Sequence, residues 1–374
     1  MTTAFIGARV FDGTTLHEDA ILLTDGAVVL GLASEVPPGA EVTDLGGGIL
    51  SPGLIDLQVN GGGGLMVDGR TDVQALRHIC QTHARLGTTG LLPTLITDTY
   101  DATARVIEAG LASIGTHGFL GLHLEGPHLD PRRKGAHDPA LIRPMQDRDL
   151  ALLVSAARRL PALMVTIAPS AVRTDQIAAL AEAGAIVSLG HTDCTHAEAE
   201  AAIAAGARCA THLFNAMSQL GNREPGLVGA VLGHDIAAGV IADAIHVAPA
   251  TLRIALSARP EGLFLVSDCM AAAGTDQTEF TLGGRRILRR NGRLTLEDGT
   301  LAGADLSLPQ AVAVMVHTIG LPPERALAMA TQAPAQVIGR DDLGHLNAGA
   351  RADLVHLSDT FQLQAAWQGG EKRL

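Results

Sequence analysis

The chain has 374 residues, of which 47% are hydrophobic and 18% are charged, and its formal net charge is −12. Disorder requires low hydrophobicity, so this composition predicts a folded globular protein. The negative charge argues against nucleic acid as the main partner, and 7 Phe, 1 Tyr and 1 Trp are too few for a binding site of stacked aromatic side chains.

Three features of the sequence bear on the compartment. Residues 1–13 lack a basic segment followed by an apolar run, so we expect no signal peptide. No stretch of about 18 apolar residues occurs, which predicts no membrane-spanning helix. The four cysteines form no C-x-x-C pair, and we therefore expect a cytoplasmic protein without disulfide bonds.

The two ends of the chain both have the pattern of short strands and turns. Residues 1–50 alternate apolar runs with the turn signals Asp12-Gly13, Asp25-Gly26 and Pro37-Pro38-Gly39, and residues 343–359 return to this pattern. We therefore expect residues 1–51 and 342–374 to pair into a small β-sandwich domain.

Between these ends, residues 52–341 alternate short apolar runs with Ala-rich helical stretches. Unbroken apolar runs are typical of strands buried on both faces of a parallel sheet. Eight strand–helix units predict a (β/α)8 TIM-like barrel, with a doubly wound open sheet as the structural alternative. The eight runs are Leu54–Asn60, Gly90–Leu95, Phe119–Glu125, Leu163–Ala168, Ala185–His191, Cys209–Asn215, Gly239–Asp243 and Leu263–Asp268.

Ionisable side chains lie at the ends of several of these runs, where a barrel carries its catalytic groups. Glu125, His191 and His212 offer one carboxylate and two imidazoles, which is a known catalytic zinc ligand set. Each histidine could instead be a hydrogen-bonded core residue. Asp268 ends the last run and would be placed to act as a general base beside the metal, or alternatively to cap a turn.

Two other chemistries lack support in the sequence. The glycines of Gly61–Gly64 are not followed by a G-x-G-x-x-G or G-K-[ST] pattern, so a nucleotide site is not indicated. No G-x-S-x-G motif occurs, and a serine hydrolase is therefore not indicated either.

Several segments, taken together, resemble the amidohydrolase superfamily, and within it the branch of sugar-phosphate deacetylases. The resemblance covers nearly the whole chain, and THLFNAM with GNREPGL is its most specific part. The segments are SPGLIDLQVNGGGG (51–64), GLHLEGPHLDPRRKGAH (121–137), LGHTDCTHAEA (189–199), ATHLFNAMSQLGNREPGLVGA (210–230), IADAIHV (241–247), LVSDCMAAAG (265–274) and LGHLNAGARADLV (343–355).

This resemblance implies a metal-dependent enzyme of amino-sugar catabolism that converts N-acetyl-D-glucosamine 6-phosphate to D-glucosamine 6-phosphate and acetate. Position by position, it implies that Glu125, His191 and His212 bind the metal, that Asp268 is the catalytic acid and base, and that His137 polarises the acetyl carbonyl. It further implies that the sugar phosphate is held by Asn215, the Ala216 backbone, His246 and Arg223. Since the corresponding arginine reaches the neighbouring subunit's site, a homodimer is implied.

The sequence departs from the superfamily pattern at the first barrel strand. Many members have H-x-H there and bind a second metal, whereas this chain has Gln58-x-Asn60, and amides are poor ligands for a transition metal beside imidazoles. We therefore expect one divalent metal per subunit, with zinc favoured and iron, cobalt or manganese as alternatives.

Two smaller departures, Ala244 in place of the usual Gly and Ala272 in place of a common Pro, leave the sugar epimer open. The alternatives are the deacetylation of N-acetylgalactosamine 6-phosphate or of another N-acyl substrate. A non-catalytic assembly protein is the alternative of a different class, but such proteins typically lose metal ligands, and this chain keeps them.

Overall fold

A computed structural model describes all residues, 1–374. The strands, in chain order, are β1 (Thr2–Ile6), β2 (Arg9–Phe11), β3 (Leu16–His17), β4 (Ile21–Asp25), β5 (Val28–Ala33), β6 (Glu41–Asp44), β7 (Ile49–Pro52), β8 (Leu54–Val59), β9 (Gly61–Gly62), β10 (Leu65–Met66), β11 (Thr88–Ile96), β12 (Leu122–Glu125), β13 (Leu163–Ile167), β14 (Ile186–Leu189), β15 (Cys209–Ala210), β16 (Ala237–Val240), β17 (Leu263–Leu265), β18 (Glu279–Leu282), β19 (Arg285–Arg290), β20 (Arg293–Thr295), β21 (Leu301–Ala304), β22 (Leu354–Leu357), β23 (Leu363–Gln368) and β24 (Glu371–Lys372).

The α-helices are α1 (Val73–Ala84), α2 (Tyr100–Ala112), α3 (Asp147–Ala157), α4 (Thr174–Glu182), α5 (His196–Ala204), α6 (Gly226–Gly233), α7 (Pro249–Ala258), α8 (Leu308–Val314), α9 (Pro323–Ala328) and α10 (Gln332–Val337). A 3-10 turn covers Pro131–Arg133, and a π-helical turn, Met315–Ile319, continues α8. No helix is both long and apolar enough to span a membrane.

Eight parallel strands form the central sheet, in the order β17-β16-β15-β14-β13-β12-β11-β8. The two edge strands, β8 and β17, meet just beyond their ends and close the sheet. There Asp268 N donates to Gln58 O over 3.1 Å, and Asn60 N donates to Cys269 O over 3.0 Å. The closed (β/α)8 barrel is thus confirmed, and the open-sheet alternative is wrong.

Local sequence signals explain where the helices begin. The Asp72 side chain accepts a hydrogen bond from the Ala75 amide and caps α1. Thr195 and Glu198 form the predicted reciprocal capping box at the start of α5. These caps fix where the segments after β8 and β14 turn into helix.

The terminal segments form two further sheets. One is four-stranded, in the order β5-β4-β1-β6, and the other is six-stranded, in the order β24-β23-β22-β7-β2-β3, which joins both ends of the chain. A small core lies between them, where the rings of Phe5 and Trp367 meet edge to face with centroids 5.2 Å apart. The two-domain division itself, at residues 51/52 and 341/342, stays a prediction; β7 and β8 are separated only by Gly53.

Strands β18–β21 form a four-stranded antiparallel sheet inserted after the last barrel strand. This insertion carries its own small core around Leu282, Ile287 and Leu294. Its last strand is tied to the end of the barrel, because Ala304 N donates to Asp268 O over 2.8 Å. The insertion is thereby held next to the carboxyl ends of the barrel strands.

Candidate active site

Three side chains from three strand ends converge at the carboxyl end of the barrel. Glu125 ends β12, whereas His191 and His212 follow β14 and β15 by two residues. The Oε1 atom of Glu125 lies 3.2 Å from His191 Nε2 and 3.0 Å from His212 Nε2, and the two Nε2 atoms are 3.1 Å apart. All three residues are buried. The sequence predicted this set, and the fold brings it together.

The hydrogen bonds of these side chains favour a metal ion between them. His191 Nδ1 lies 2.8 Å from the carbonyl oxygen of Arg133. A carbonyl only accepts, so Nδ1 carries the proton and Nε2 presents a lone pair to the cluster. Burial would raise the pKa of Glu125, but its contacts with His191 and His212 hold that pKa well below the usual value. A carboxylate and a nitrogen lone pair facing one point fit a divalent cation.

Asp268 lies beside this cluster and is held by the two amides of the first barrel strand. Its Oδ1 atom accepts hydrogen bonds from Asn60 Nδ2 over 2.7 Å and from Gln58 Nε2 over 3.2 Å. The same Gln58 amide donates to Glu125 Oε1 over 3.2 Å. Both amides therefore turn their donor nitrogens toward carboxylates.

The environment of Asp268 makes it a stronger base than an ordinary carboxylate. Burial raises its pKa to about 6, and the nearby negative charge of Glu125 adds to the effect. A carboxylate with this pKa is mostly ionised at neutral pH and can still accept a proton during a reaction.

His137 also contacts the cluster, with its ring centroid 4.3 Å from that of His191. The Thr97 amide donates to His137 Nδ1 over 3.3 Å, so Nδ1 is the unprotonated nitrogen and Nε2 carries the proton. Burial, with the nearby His191, holds the pKa of His137 well below its usual value. This ring is therefore a neutral hydrogen-bond donor at the edge of the site.

A second group of predicted residues lines the same cavity. His246 Nδ1 donates to Asp243 Oδ2 over 2.6 Å, and Asp243 Oδ1 accepts from the backbone amides of residues 245 and 246. Asp243 therefore fixes the orientation of the His246 ring. Asn215 and Ala216 line the cavity beside it.

Arg223 is the one predicted substrate-binding residue that does not line this cavity. Its side chain is exposed, and it is absent from the residues that line the cavity. The Arg223 side chain is therefore accessible to another molecule. A residue that contributes to the site of a neighbouring subunit has to be accessible in this way.

The cavity has a volume of about 380 Å³, and the sequence did not reveal all of its walls. Arg132 and Arg133, on the 3-10 turn after β12, line it, as do Ile96 and Met270. The inserted sheet contributes Thr300, Leu301 and Gly303. The basic run in DPRRKGAH was a signal for the arginines, whereas nothing local in the sequence places the insertion over the site.

Several residues of the site share an unusual backbone conformation with a positive φ angle. His191, His212 and Asp268 have φ angles of 44°, 32° and 49°, which non-glycine residues rarely adopt. Ala216 and Ala244 share this conformation, with φ of 50° and 60°. Such conformations concentrate at functional sites. They also explain why glycine suits the Ala244 position, whereas Ala272 does not line the cavity.

Comparison with known proteins places the chain in a family. Residues 49–373 match the Amidohydrolase family. This chain belongs to the amidohydrolase family. Members of that family are metal-dependent, and the cluster of Glu125, His191 and His212 is a site that could hold the ion.

Two curated relatives and one solved structure extend over nearly the full chain. The N-acetylgalactosamine-6-phosphate deacetylase of Shewanella sp. (strain ANA-3) is 37% identical over 98% of this chain and 94% of its own. The N-acetylglucosamine-6-phosphate deacetylase of Haemophilus influenzae is 32% identical over 97% of each chain. The crystal structure of N-acetylglucosamine-6-phosphate deacetylase from Pasteurella multocida is 33% identical and covers 100% of this chain and 99% of its own, with a TM-score of 0.96.

Proposed function

We propose that this protein is a metal-dependent deacetylase that hydrolyses N-acetyl-D-glucosamine 6-phosphate to D-glucosamine 6-phosphate and acetate. The observation that carries this proposal is the convergence of Glu125, His191 and His212 with Asp268 in one cavity. Relatives with near full-length similarity are named as deacetylases of phosphorylated N-acetyl amino sugars. A non-catalytic assembly role fits less well, since it would need neither the ligand cluster nor the base.

The metal would be held by Glu125, His191 and His212, one ion per subunit. Zinc is favoured because two imidazoles and a carboxylate are a common catalytic zinc set, with iron, cobalt and manganese as alternatives. When bound, the ion supplies Lewis acidity, which lowers the pKa of a coordinated water. Gln58 and Asn60 stand where a second ion would need ligands, and their donor nitrogens instead hold Asp268 and Glu125.

Asp268 would carry the proton between water and the leaving group. Its ionised carboxylate takes a proton from the water as the water oxygen bonds to the acetyl carbon. As the carbon–nitrogen bond breaks, the carboxyl returns this proton to the sugar nitrogen, which leaves as an amine. The raised pKa of about 6 suits both steps, because the group must accept and then release a proton near neutral pH.

His137 would hold the acetyl oxygen. Its protonated Nε2 can donate to the negative charge that develops on that oxygen, and its low pKa keeps the ring neutral before the reaction. Thr97 fixes the ring through two contacts with Nδ1, from the amide at 3.3 Å and the hydroxyl at 2.7 Å. A donor held in place in this way loses little entropy when the substrate binds.

The phosphate would bind to the group of His246, Asn215 and the Ala216 backbone, which line the cavity. Asp243 orients the His246 ring. We propose that Arg223 of a second subunit completes the phosphate site, so that the working protein is a homodimer. A cytoplasmic location is part of the proposal, because the four cysteines are buried free thiols.

N-acetylgalactosamine 6-phosphate is the second candidate substrate. The Shewanella relative, at 37% identity, is named as the deacetylase of that sugar phosphate. The two sugars differ only in the configuration of one hydroxyl, far from the groups that perform the hydrolysis. The metal cluster, Asp268 and His137 would therefore serve both substrates equally.

Acetate release from four sugars tests the proposal. The panel is N-acetylglucosamine and N-acetylgalactosamine, each with and without the 6-phosphate. We expect kcat/KM to be highest for N-acetylglucosamine 6-phosphate. A higher value for the galactose epimer would select the second candidate, and activity on the unphosphorylated sugars alone would refute the role of phosphate.

A further inference from the structure

A second group of metal-ligand side chains lies on the surface, away from the active site. His196 is the first residue of α5, Glu200 lies one turn further along that helix, and His234 directly follows α6. Their ligand atoms lie within 4.8 Å of one another. None of the three lines the active-site cavity, and the proposed reaction uses none of them. We propose that His196, Glu200 and His234 form a second binding site, for a divalent transition-metal ion such as Zn²⁺.

The distances within this surface cluster are those of two ligands on one ion. His196 Nδ1 lies 3.4 Å from Glu200 Oε2, and His234 Nε2 lies 3.4 Å from Glu200 Oε1. Zinc–nitrogen and zinc–oxygen bonds of about 2.0–2.1 Å at tetrahedral angles separate neighbouring ligand atoms by about 3.3–3.4 Å. Each carboxylate oxygen of Glu200 thus lies at this spacing from one imidazole nitrogen, and the three ligand atoms are close enough to reach one ion.

Hydrogen bonding accounts for this spacing less well. Good N–H···O hydrogen bonds measure about 2.7–3.2 Å. Two other histidine–carboxylate pairs of this chain are much shorter: His246 and Asp243 are 2.6 Å apart, and His17 and Asp12 are 2.7 Å apart. Both contacts of Glu200 are longer, at 3.4 Å, so the hydrogen bond between His234 and Glu200 is a long one.

Charge and access also favour a cation. The side chains of His196, Glu200 and His234 are 29%, 48% and 37% exposed, so an ion can reach them from solvent. Glu200 forms ion pairs with these two histidines and with no lysine or arginine. A second carboxylate lies alongside, since Glu224 Oε1 accepts a hydrogen bond from the His196 amide over 2.7 Å. With neutral imidazoles the local charge is negative.

An ion at this site would add a second link between two elements that one side chain already connects, since Glu224 Oε1 accepts hydrogen bonds from the His196 and Gly226 amides. It would tie the first turn of α5 to the residue after α6. A ligand that binds only the folded state raises its stability. The bound ion would therefore stabilise the folded protein from the outside of the barrel and would take no part in the reaction inside it.

Titration of the metal-loaded, full-length protein with zinc chloride tests this proposal. Calorimetry should show one further equivalent of Zn²⁺, removable by dialysis, and the added ion should raise the Tm. Cobalt(II) in the same role should give the visible absorption of a tetrahedral site. His234→Ala and Glu200→Gln should each weaken this binding at least about tenfold and abolish the rise in Tm.

His117→Ala is the matched control, because His117 is an exposed histidine without a carboxylate partner within salt-bridge distance. It should bind the additional Zn²⁺ as the wild type does. Acetate release at the wild-type rate shows that each variant is folded and keeps its catalytic metal. Wild type that binds no further equivalent, or a His234→Ala variant that binds it equally well, would overturn the proposal. A wild type without deacetylase activity would count against the proposed function only, since the calorimetry does not depend on it.

Discussion

The protein presents two clusters of the same composition, two histidines and one glutamate, in very different surroundings. Glu125, His191 and His212 are buried at the mouth of the barrel, whereas the surface cluster is open to solvent. In the buried cluster the ligand atoms lie 3.0–3.2 Å apart. In the surface cluster the corresponding contacts measure 3.4 Å. Ligand type alone therefore does not distinguish a catalytic centre from a surface site.

The neighbours of each cluster make the difference. A backbone carbonyl fixes the tautomer of His191, and the Gln58 amide bridges Glu125 to Asp268. The buried cluster therefore has a base with a raised pKa, a neutral donor in His137 and a cavity for a substrate. The surface cluster has none of these. Residues around the ligands, more than the ligands themselves, decide whether a bound metal can do chemistry.

Removal of a buried ligand should have the largest effect. His191→Ala removes a nitrogen donor from the centre and leaves Glu125 beside a gap, so we expect loss of the tightly bound metal and a fall in kcat of at least about 10³-fold. Elemental analysis and acetate release measure both. His117→Ala, a histidine outside either cluster, should match the wild type. A His191→Ala protein with one metal per chain and normal turnover would contradict the proposed ligand set.

Asp268→Asn tests the base separately from the metal. The amide keeps the size of the side chain but cannot accept the proton, and we expect kcat to fall by roughly 10²-fold or more while the metal content stays unchanged. Metal loss in this variant would instead show that Asp268 supports the ligands. Turnover near the wild-type value would remove Asp268 from the mechanism.

The buried cluster could be predicted from the sequence because the geometry of a barrel determines where the ends of its strands lie. Once eight apolar runs are identified as barrel strands, the residues after each run must meet at one end. Even β15, which is only Cys209–Ala210, was found from its apolar run and delivers His212 to the cluster. Gln58 and Asn60 were also found in this way, as the residues at the end of β8.

The rest depended on tertiary packing or on a second chain. Thr300 and Leu301 line the cavity because the inserted sheet folds back over the barrel. The polar, turn-rich sequence of this sheet has no periodicity from which its position could be predicted. The positive φ of His191 and His212 has no signature in a single sequence, since both residues usually avoid that conformation. The surface cluster joins two residues of α5 to the residue that follows α6, and its i, i+4 half alone resembles an ordinary helix pair.

Arg223→Ala should separate substrate binding from chemistry. A charge-assisted contact with the phosphate would be lost, so KM for the 6-phosphorylated substrate should rise about tenfold or more with a smaller change in kcat. The effect should vanish with unphosphorylated sugars. Because Arg223 lies outside its own cavity, mixing this variant with an inactive Asp268→Asn protein should generate mixed dimers in which one site is intact. An unchanged KM would refute the phosphate role.

The pKa of Asp268 predicts how activity depends on pH. Only the ionised carboxylate can accept a proton, so kcat/KM should be constant above about pH 7 and should fall below a pKa of about 6, reaching about a tenth of the plateau near pH 5. Gln58→Ala removes an amide that donates to Asp268, and the loss of this hydrogen bond destabilises the ionised carboxylate. The pKa of Asp268 should therefore rise, and the fall in kcat/KM should begin at a higher pH than in the wild type. A fall in kcat/KM centred on the usual aspartate pKa would show that burial does not raise the pKa of Asp268.

The smallest effect should come from the cap next to the surface cluster. Thr195 accepts a hydrogen bond from the Glu198 amide, and its own amide donates to the Glu198 side chain, directly before His196. Thr195→Ala should lower the free energy of unfolding by about 1 kcal/mol, as loss of an N-cap typically does. It should also weaken binding of the additional Zn²⁺ severalfold, because the first turn of α5 holds His196 and Glu200 in register.

Asp72→Ala is the matched comparison, since Asp72 caps α1, which carries no residue of either cluster. It should cost a similar free energy of unfolding and leave Zn²⁺ binding unchanged. Neither substitution should alter kcat, because the buried ligands depend on strand ends and on a backbone carbonyl, not on helix caps. Equal effects of the two caps on Zn²⁺ affinity would mean that global stability, not the geometry of α5, sets the affinity of the surface cluster.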